Sequence, residues 1–144
     1  MKNIYNGYVT VRQVNEMSVP VTLQHAAMNN YCQKNGGIYN LAQTELVIKD
    51  SSFVLFSLIN KIRKKGKIIM SSMFMLPSSQ EKRIKLYKKI IRKKIELHFV
   101  FENFCLRDKK SITTIEDMFT LSYCISKNYN FLQVEELKEF EFLN

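Results

Sequence analysis

The sequence predicts a three-layer α/β fold around a mostly parallel sheet of four or five strands. Three observations lead there. A strand signal recurs four times, at residues 7–12, at 37–42 running on to Thr44 and Glu45, at 67–72 and at 96–102, each ending in polar residues. Helical periodicity fills the gaps, and those gaps are long enough for the right-handed crossovers that parallel neighbours require. Only two prolines and four glycines interrupt the 144 residues, so no stretch reads as a linker and residues 1–144 are expected to form one α/β domain.

Strand one centres on residues 8–11. Ser18 supplies a capping oxygen and Pro20 an opening turn for the first helix, whose Leu23, Ala27, Asn30 and Tyr31 recur at helical spacing. Asn35-Gly36-Gly37 stops it. Strand two carries Ile38 and Leu41. After the oxygens of Asp50, Ser51 and Ser52, a second helix presents Leu55, Leu58, Ile59 and Ile62 as one stripe and ends at Gly66. Strand three spans 67–71 and leads into a loop through Met75-Leu76-Pro77. Ser78 and Glu81 have capping-box spacing. The helix they open buries Ile84, Tyr87, Ile90 and Ile91, with Lys82, Lys85, Lys88, Lys89 and Lys93 largely towards water. Strand four spans 96–101. A further helix is expected at about 114–126, with Thr113 and Glu116 as another box, and residues 130–134 read as a final strand or short helix.

Hydrophobic residues make up 46% of the chain, which excludes a disordered segment. The three cysteines, Cys32, Cys105 and Cys124, have no CxxC spacing, which favours reduced, inert thiols over a disulfide scaffold or a thiolate metal site. No signal peptide or bilayer-length apolar run occurs, so a cytoplasmic location without membrane insertion is expected. The net charge of +9 gathers at residues 61–67 and 82–94, while 135–141 are acidic around Lys138. Such a band attracts phosphates, anionic sugars or nucleic acid, and it equally describes the solvated outer helices of an α/β domain. The acidic end meeting a neighbour's basic helices would make a homo-oligomer.

Parallel sheets gather ligand contacts at the carboxyl ends of their strands. The expected rim holds Arg12 and Gln13, Thr44 and Glu45, Ser71 and Ser72, and Glu102 with Asn103, with Gln24 and His25 of the first helix near the same edge. Arg12 would fork an acidic or phosphate group. Glu45 and Glu102 would divide acid and base roles. His98 shares a strand face with Val100 and Glu102, so it would orient Glu102, act directly, or rest in the core against a carbonyl. Arg12, Gln13, Gln24, His25, Thr44, Ser71 and Ser72 are the expected substrate-binding residues, and Glu45, Glu102 and His98 the catalytic ones. Neither cofactor nor metal is expected. A metal would need His25, Glu45, His98 and Glu102 to converge. No Gly-x-Ser-x-Gly elbow, dinucleotide loop or Walker loop occurs.

Two resemblances carry this further. Pro20, Gln24, Tyr31-Cys32, Leu41-Ala42-x-Thr44-Glu45, Ser71-x-x-Phe74-Met75-Leu76-Pro77 and Glu96-Leu97-His98-Phe99-x-x-Glu102 resemble the sporadic carbohydrate cluster proteins, encoded among bacterial surface-polysaccharide genes. The layout also looks like the serine recombinase catalytic domain: a Tyr-x-x-x-Arg first strand (Tyr8, Arg12), a glutamine-bearing helix, then alternating strands and helices. In that family an arginine and a serine after the first strand hold and attack DNA phosphate. Here Gln13 and Val14 occupy the serine's region, and Ser18 comes later. The fold is thus expected to be resolvase-like or flavodoxin-like. The first resemblance implies an enzyme or enzyme accessory of surface-carbohydrate synthesis, moving a proton on an acidic or activated sugar, with a small anionic sugar or sugar nucleotide as partner. The alternatives are a non-catalytic sugar-nucleotide or scaffold protein, and a nucleic-acid-binding protein related to serine recombinases, the partner judged unlikely.

Overall fold

A computed structural model of the chain describes residues 2–11, 13 and 18–143, with side chains through residue 127. Five strands form one sheet in the order β2-β1-β3-β4-β5. β1 (Ile4–Val9), β2 (Ile38–Thr44), β3 (Lys67–Met70) and β4 (Glu96–Phe99) run parallel, and β5 (Phe104–Leu106) closes the edge antiparallel to β4. The parallel three-layer architecture is the expected one. β1 begins earlier than expected because Ile4 and Tyr5 already pair with Ile38 and Tyr39. Gly7 sits where the β1–β2 register shifts, and a Cβ there would lie 2.8 Å from Ala42 and Tyr39. Only a bare backbone lets the two strands approach this closely.

Side-chain alternation divides the interior into two cores. Tyr5, Val9 and Ile69 face α1 (Val21–Lys34), where Met28 and Cys32 meet them. Tyr8, Ile68, Met70, Leu97 and Phe99 face the opposite side, packed on Leu55, Leu58 and Ile59 of α2 (Phe53–Lys61) and Leu86, Tyr87 and Ile90 of α3 (Gln80–Lys93). α3 opens one residue later than its expected box: the Ser79 hydroxyl, not that of Ser78, accepts from Lys82 N. Lys94 then ends it in the left-handed region at φ 54°.

The segment after β3 forms a short 3₁₀ helix, Met73–Met75. α4 (Lys109–Leu143) starts before the expected helix and takes in residues 130–134, so that segment is helical and the fifth strand is β5. Its first turn is fixed by Ser111 N donating to Asp108 Oδ1 at 2.8 Å and by Asp108 N donating to Ser111 Oγ at 3.0 Å. Thr113 bonds back to the Lys109 carbonyl inside the helix instead of capping it. Arg83 ties α4 to α3: its Nε donates to Glu116, its Nη1 to the Pro77 and Ser78 carbonyls, and its guanidinium stacks 3.9 Å from the Phe119 ring. Among the described residues, no helix is long and apolar enough to cross a membrane.

Candidate functional site

Glu45 follows β2 and is buried. Its own N–H extends the ladder to the Val9 carbonyl at 2.8 Å. Its two carboxylate oxygens accept from Tyr8 Oη at 2.9 Å, Ser51 Oγ at 2.8 Å, Leu46 N at 3.0 Å, Val54 N at 3.1 Å and Leu55 N at 3.2 Å. The last two are first-turn N–H groups of α2, which lack helical partners of their own. Glu45 therefore caps α2 from the neighbouring strand end and neutralises the positive end of its dipole. Burial alone would raise this carboxyl. The hydrogen bonds from Val54, Leu46, Ser51 and Tyr8 outweigh burial and hold it below the usual range.

Gln24 and Ser71 occupy the middle of the rim, both fully buried. Gln24 Nε2 donates to the Thr10 carbonyl at 2.8 Å and to the Val19 carbonyl at 3.0 Å, and Ser71 Oγ lies 3.4 Å from Gln24 Oε1 and 3.0 Å from Met75 Sδ. The end of β1, the start of α1 and the end of β3 are thus joined through one amide. Beside them, Ser72 Oγ donates to Glu102 Oε1 at 2.5 Å and Met73 N donates to Glu102 Oε2 at 3.1 Å. Glu102 caps the 3₁₀ turn much as Glu45 caps α2. His25 Nδ1 lies 2.8 Å from the Tyr39 hydroxyl, outside both groups, while Thr44 and Gln13 are exposed. Arg12 lies outside the described residues.

His98 is buried, as its strand position required, but its partners differ from those expected. Nδ1 lies 3.0 Å from the Tyr31 hydroxyl and Nε2 lies 3.0 Å from Glu96 Oε2. Glu102 is not among them. Burial lowers the His98 pKa, and the Glu96 carboxylate only partly opposes it, so the ring is neutral near pH 7. Cys105 Sγ stands 3.7 Å from the same Nε2. Sequence reasoning missed Glu96 and Cys105. The signal was Glu-x-His at strand spacing for the first; the second had none, because Cys105 meets His98 only through the β4–β5 pairing.

At the amino-terminal ends of β1 and β3 lies an open groove of about 630 Å³. Its cations are Lys2, Lys61, Arg63, Lys65 and Lys67, its amides are Asn3, Asn6, Asn40 and Gln43, and its lining includes no acidic residue. Lys67 is paired with Glu96, whereas Lys2, Lys61, Arg63 and Lys65 are exposed. The loop is held in place from below: Lys65 N donates to the Lys93 carbonyl at 2.9 Å, and Lys93 Nζ reaches the Ile59 and Asn60 carbonyls at 2.7 and 3.0 Å. Lysine at a helix C-terminus satisfies orphan carbonyls and complements the dipole.

This sheet order and layering resemble the serine-recombinase catalytic domain. A solved structure described as the N-terminal catalytic domain of TP901-1 integrase superposes with a TM-score of 0.60, covering 91% of this chain and 99% of that one at 16% identity. No family model and no curated protein sequence matches the chain. The fold likeness corrects the expected function. It gives no support to surface-carbohydrate synthesis, to sugar binding or to membership of the carbohydrate cluster proteins, and it undercuts the expectation that nucleic acid is an unlikely partner. The physical reason for the error is that polar strand ends are required by any parallel sheet whose helices need capping. Their presence alone does not select a sugar.

Proposed function

We propose that the chain is a nucleic-acid-binding protein related to serine recombinases, and that it grips duplex phosphates through the cationic groove. The observation that carries this reading is the groove on a recombinase-like fold: five cations and four side-chain amides with no acid in the lining. Fold alone selects no function. Charge alone describes many solvated surfaces. Together they favour one partner. Lysine and arginine neutralise phosphates and release counterions, while amides donate to phosphate or base edges. The groove is open, as a rod-shaped polyanion needs, and its four exposed cations come from two separate chain segments. The reading is confined to binding, because Gln13 and Val14 stand in the region of the family's attacking serine.

The test is a fluorescence anisotropy titration of a labelled duplex at low salt. The unaltered chain should bind, and joint replacement of Lys61, Arg63 and Lys65 by glutamine should weaken binding at least about tenfold, the order expected for losing three phosphate contacts. Binding that is absent, or undiminished in the triple variant, contradicts the proposal.

A further inference from the structure

We propose that Glu96, His98 and Cys105 form a zinc site at the β4–β5 edge. The inference stands independently of nucleic-acid binding. Glu96 and His98 are two apart on β4 and so share a face, and Cys105 is the direct antiparallel partner of His98 on β5. Register alone therefore brings a carboxylate, an imidazole and a thiol together. Their donor atoms all lie within 4.8 Å of one another, with Glu96 Oε2 at 3.0 Å and Cys105 Sγ at 3.7 Å from His98 Nε2. Zinc bonds of roughly 2.0–2.3 Å at tetrahedral angles set such donors about 3.3–3.8 Å apart. A mixed O, N and S set suits this borderline-soft ion better than calcium or magnesium.

The geometry also separates a metal site from a catalytic thiol. In a Cys–His–carboxylate relay the thiol and the carboxylate use opposite nitrogens of the ring. Here both approach the same nitrogen, Nε2, and the tyrosine hydroxyl of Tyr31 takes Nδ1. Three unlike donors gathered within 4.8 Å of one another can share one ion. Tyr31 plays the outer-shell part: its hydroxyl can accept from Nδ1–H, which fixes the tautomer that leaves Nε2 free to bind metal.

Binding would proceed by exchange. The Cys105 thiol loses its proton to solvent, the Nε2 proton is replaced by zinc while Nδ1 takes one up, and the Lys67 ammonium leaves Glu96. His98, Cys105 and Tyr31 line an open cavity of about 550 Å³, which gives the ion its way in. Lys67 is thus a built-in competitor for the carboxylate.

Titration of the reduced, metal-free full chain with cobalt(II), followed by zinc competition, tests the assignment. One equivalent should bind tetrahedrally with thiolate-to-cobalt charge transfer. Cys105→Ala should abolish that band and weaken zinc at least a hundredfold, whereas Cys124→Ser, on α4, should change neither. Tyr31→Phe should cost about tenfold, as outer-shell losses do. Lys67→Met should tighten binding, and weaker binding in that variant would contradict the exchange. A second measurement needs no variant: zinc should slow alkylation of Cys105 at least tenfold and leave Cys124 unaffected. A charge-transfer band that survives Cys105→Ala, or alkylation of Cys105 at the same rate with zinc present, overturns the proposal.

Discussion

Glu45 and Glu96 stand at opposite ends of one parallel sheet, the first just past the end of β2 and the second opening β4. Glu45 is buried under five donors, three of them backbone N–H groups, and two of those, of Val54 and Leu55, cannot leave without unravelling the start of α2. Glu96 is half-buried, and among the described residues its carboxylate is held by the Lys67 ammonium and the His98 ring, two side chains free to find other partners. Both carboxyls lie below their usual range. For Glu96 the Lys67 hydrogen bond is the main cause; for Glu45 backbone and hydroxyl donors overcome burial. The same shift therefore has opposite meanings. Backbone donors make a carboxylate part of the architecture, whereas side-chain donors leave it exchangeable.

The largest expected effect of breaking this contrast is at Glu45. Glu45→Ala strands the first N–H groups of α2 and removes an acceptor of the buried Tyr8 hydroxyl, and should cost about 3 kcal/mol in urea denaturation. Glu45→Gln keeps the volume and should cost less. It should also flatten the acid limb of stability. The folded Glu45 carboxyl titrates below its unfolded value, so its contribution is complete above the unfolded pKa and is lost as pH falls through the folded one. Denaturation midpoints between about pH 5 and pH 2 should fall less steeply in Glu45→Gln than in the unaltered chain.

A smaller loss is expected at Glu102, which holds one hydroxyl and one backbone N–H. Glu102→Ala should cost about 1–2 kcal/mol by the same assay. Glu96→Gln should be the mildest, within about 1 kcal/mol, because partly exposed ion pairs contribute little. A Glu96 variant as damaging as Glu45→Ala would erase the distinction between lock and ligand.

How much of this was legible beforehand follows from the same physics. Four strands and their parallel direction were readable, because short apolar runs alternating with helical stripes leave few alternatives, whereas the strand order β2-β1-β3-β4-β5 comes from the fold alone. β5 was not readable. It is three residues long and follows a tight reversal with Asn103 at φ 47°, a signal no periodicity window resolves. The start of α4 differs from the expected one because Asp108 and Ser111 cap it at the same spacing as the Thr113–Glu116 pair further along. At the rim, the strand-end places of Ser71 and Glu45 and the place of Gln24 early in the first helix were foreseeable, but their partners were not: Val54 and Leu55 reach Glu45 only through the β2–α2 fold-back. Cys105 could not be joined to His98 without β5. The charge run at 61–67 was visible as composition, and only the fold gathers it with Lys2 and the amides of β1 and β2.

The proposed nucleic-acid binding lies in the cationic groove and not in the capped rim. The most direct test is the salt dependence of duplex binding in the unaltered chain and in the Lys61, Arg63 and Lys65 triple glutamine variant. Each phosphate neutralised contributes a slope of about −0.9 in log affinity against log salt, so the variant should lose roughly two to three units of slope. Equal slopes in the two proteins, with the variant binding as tightly, would contradict it.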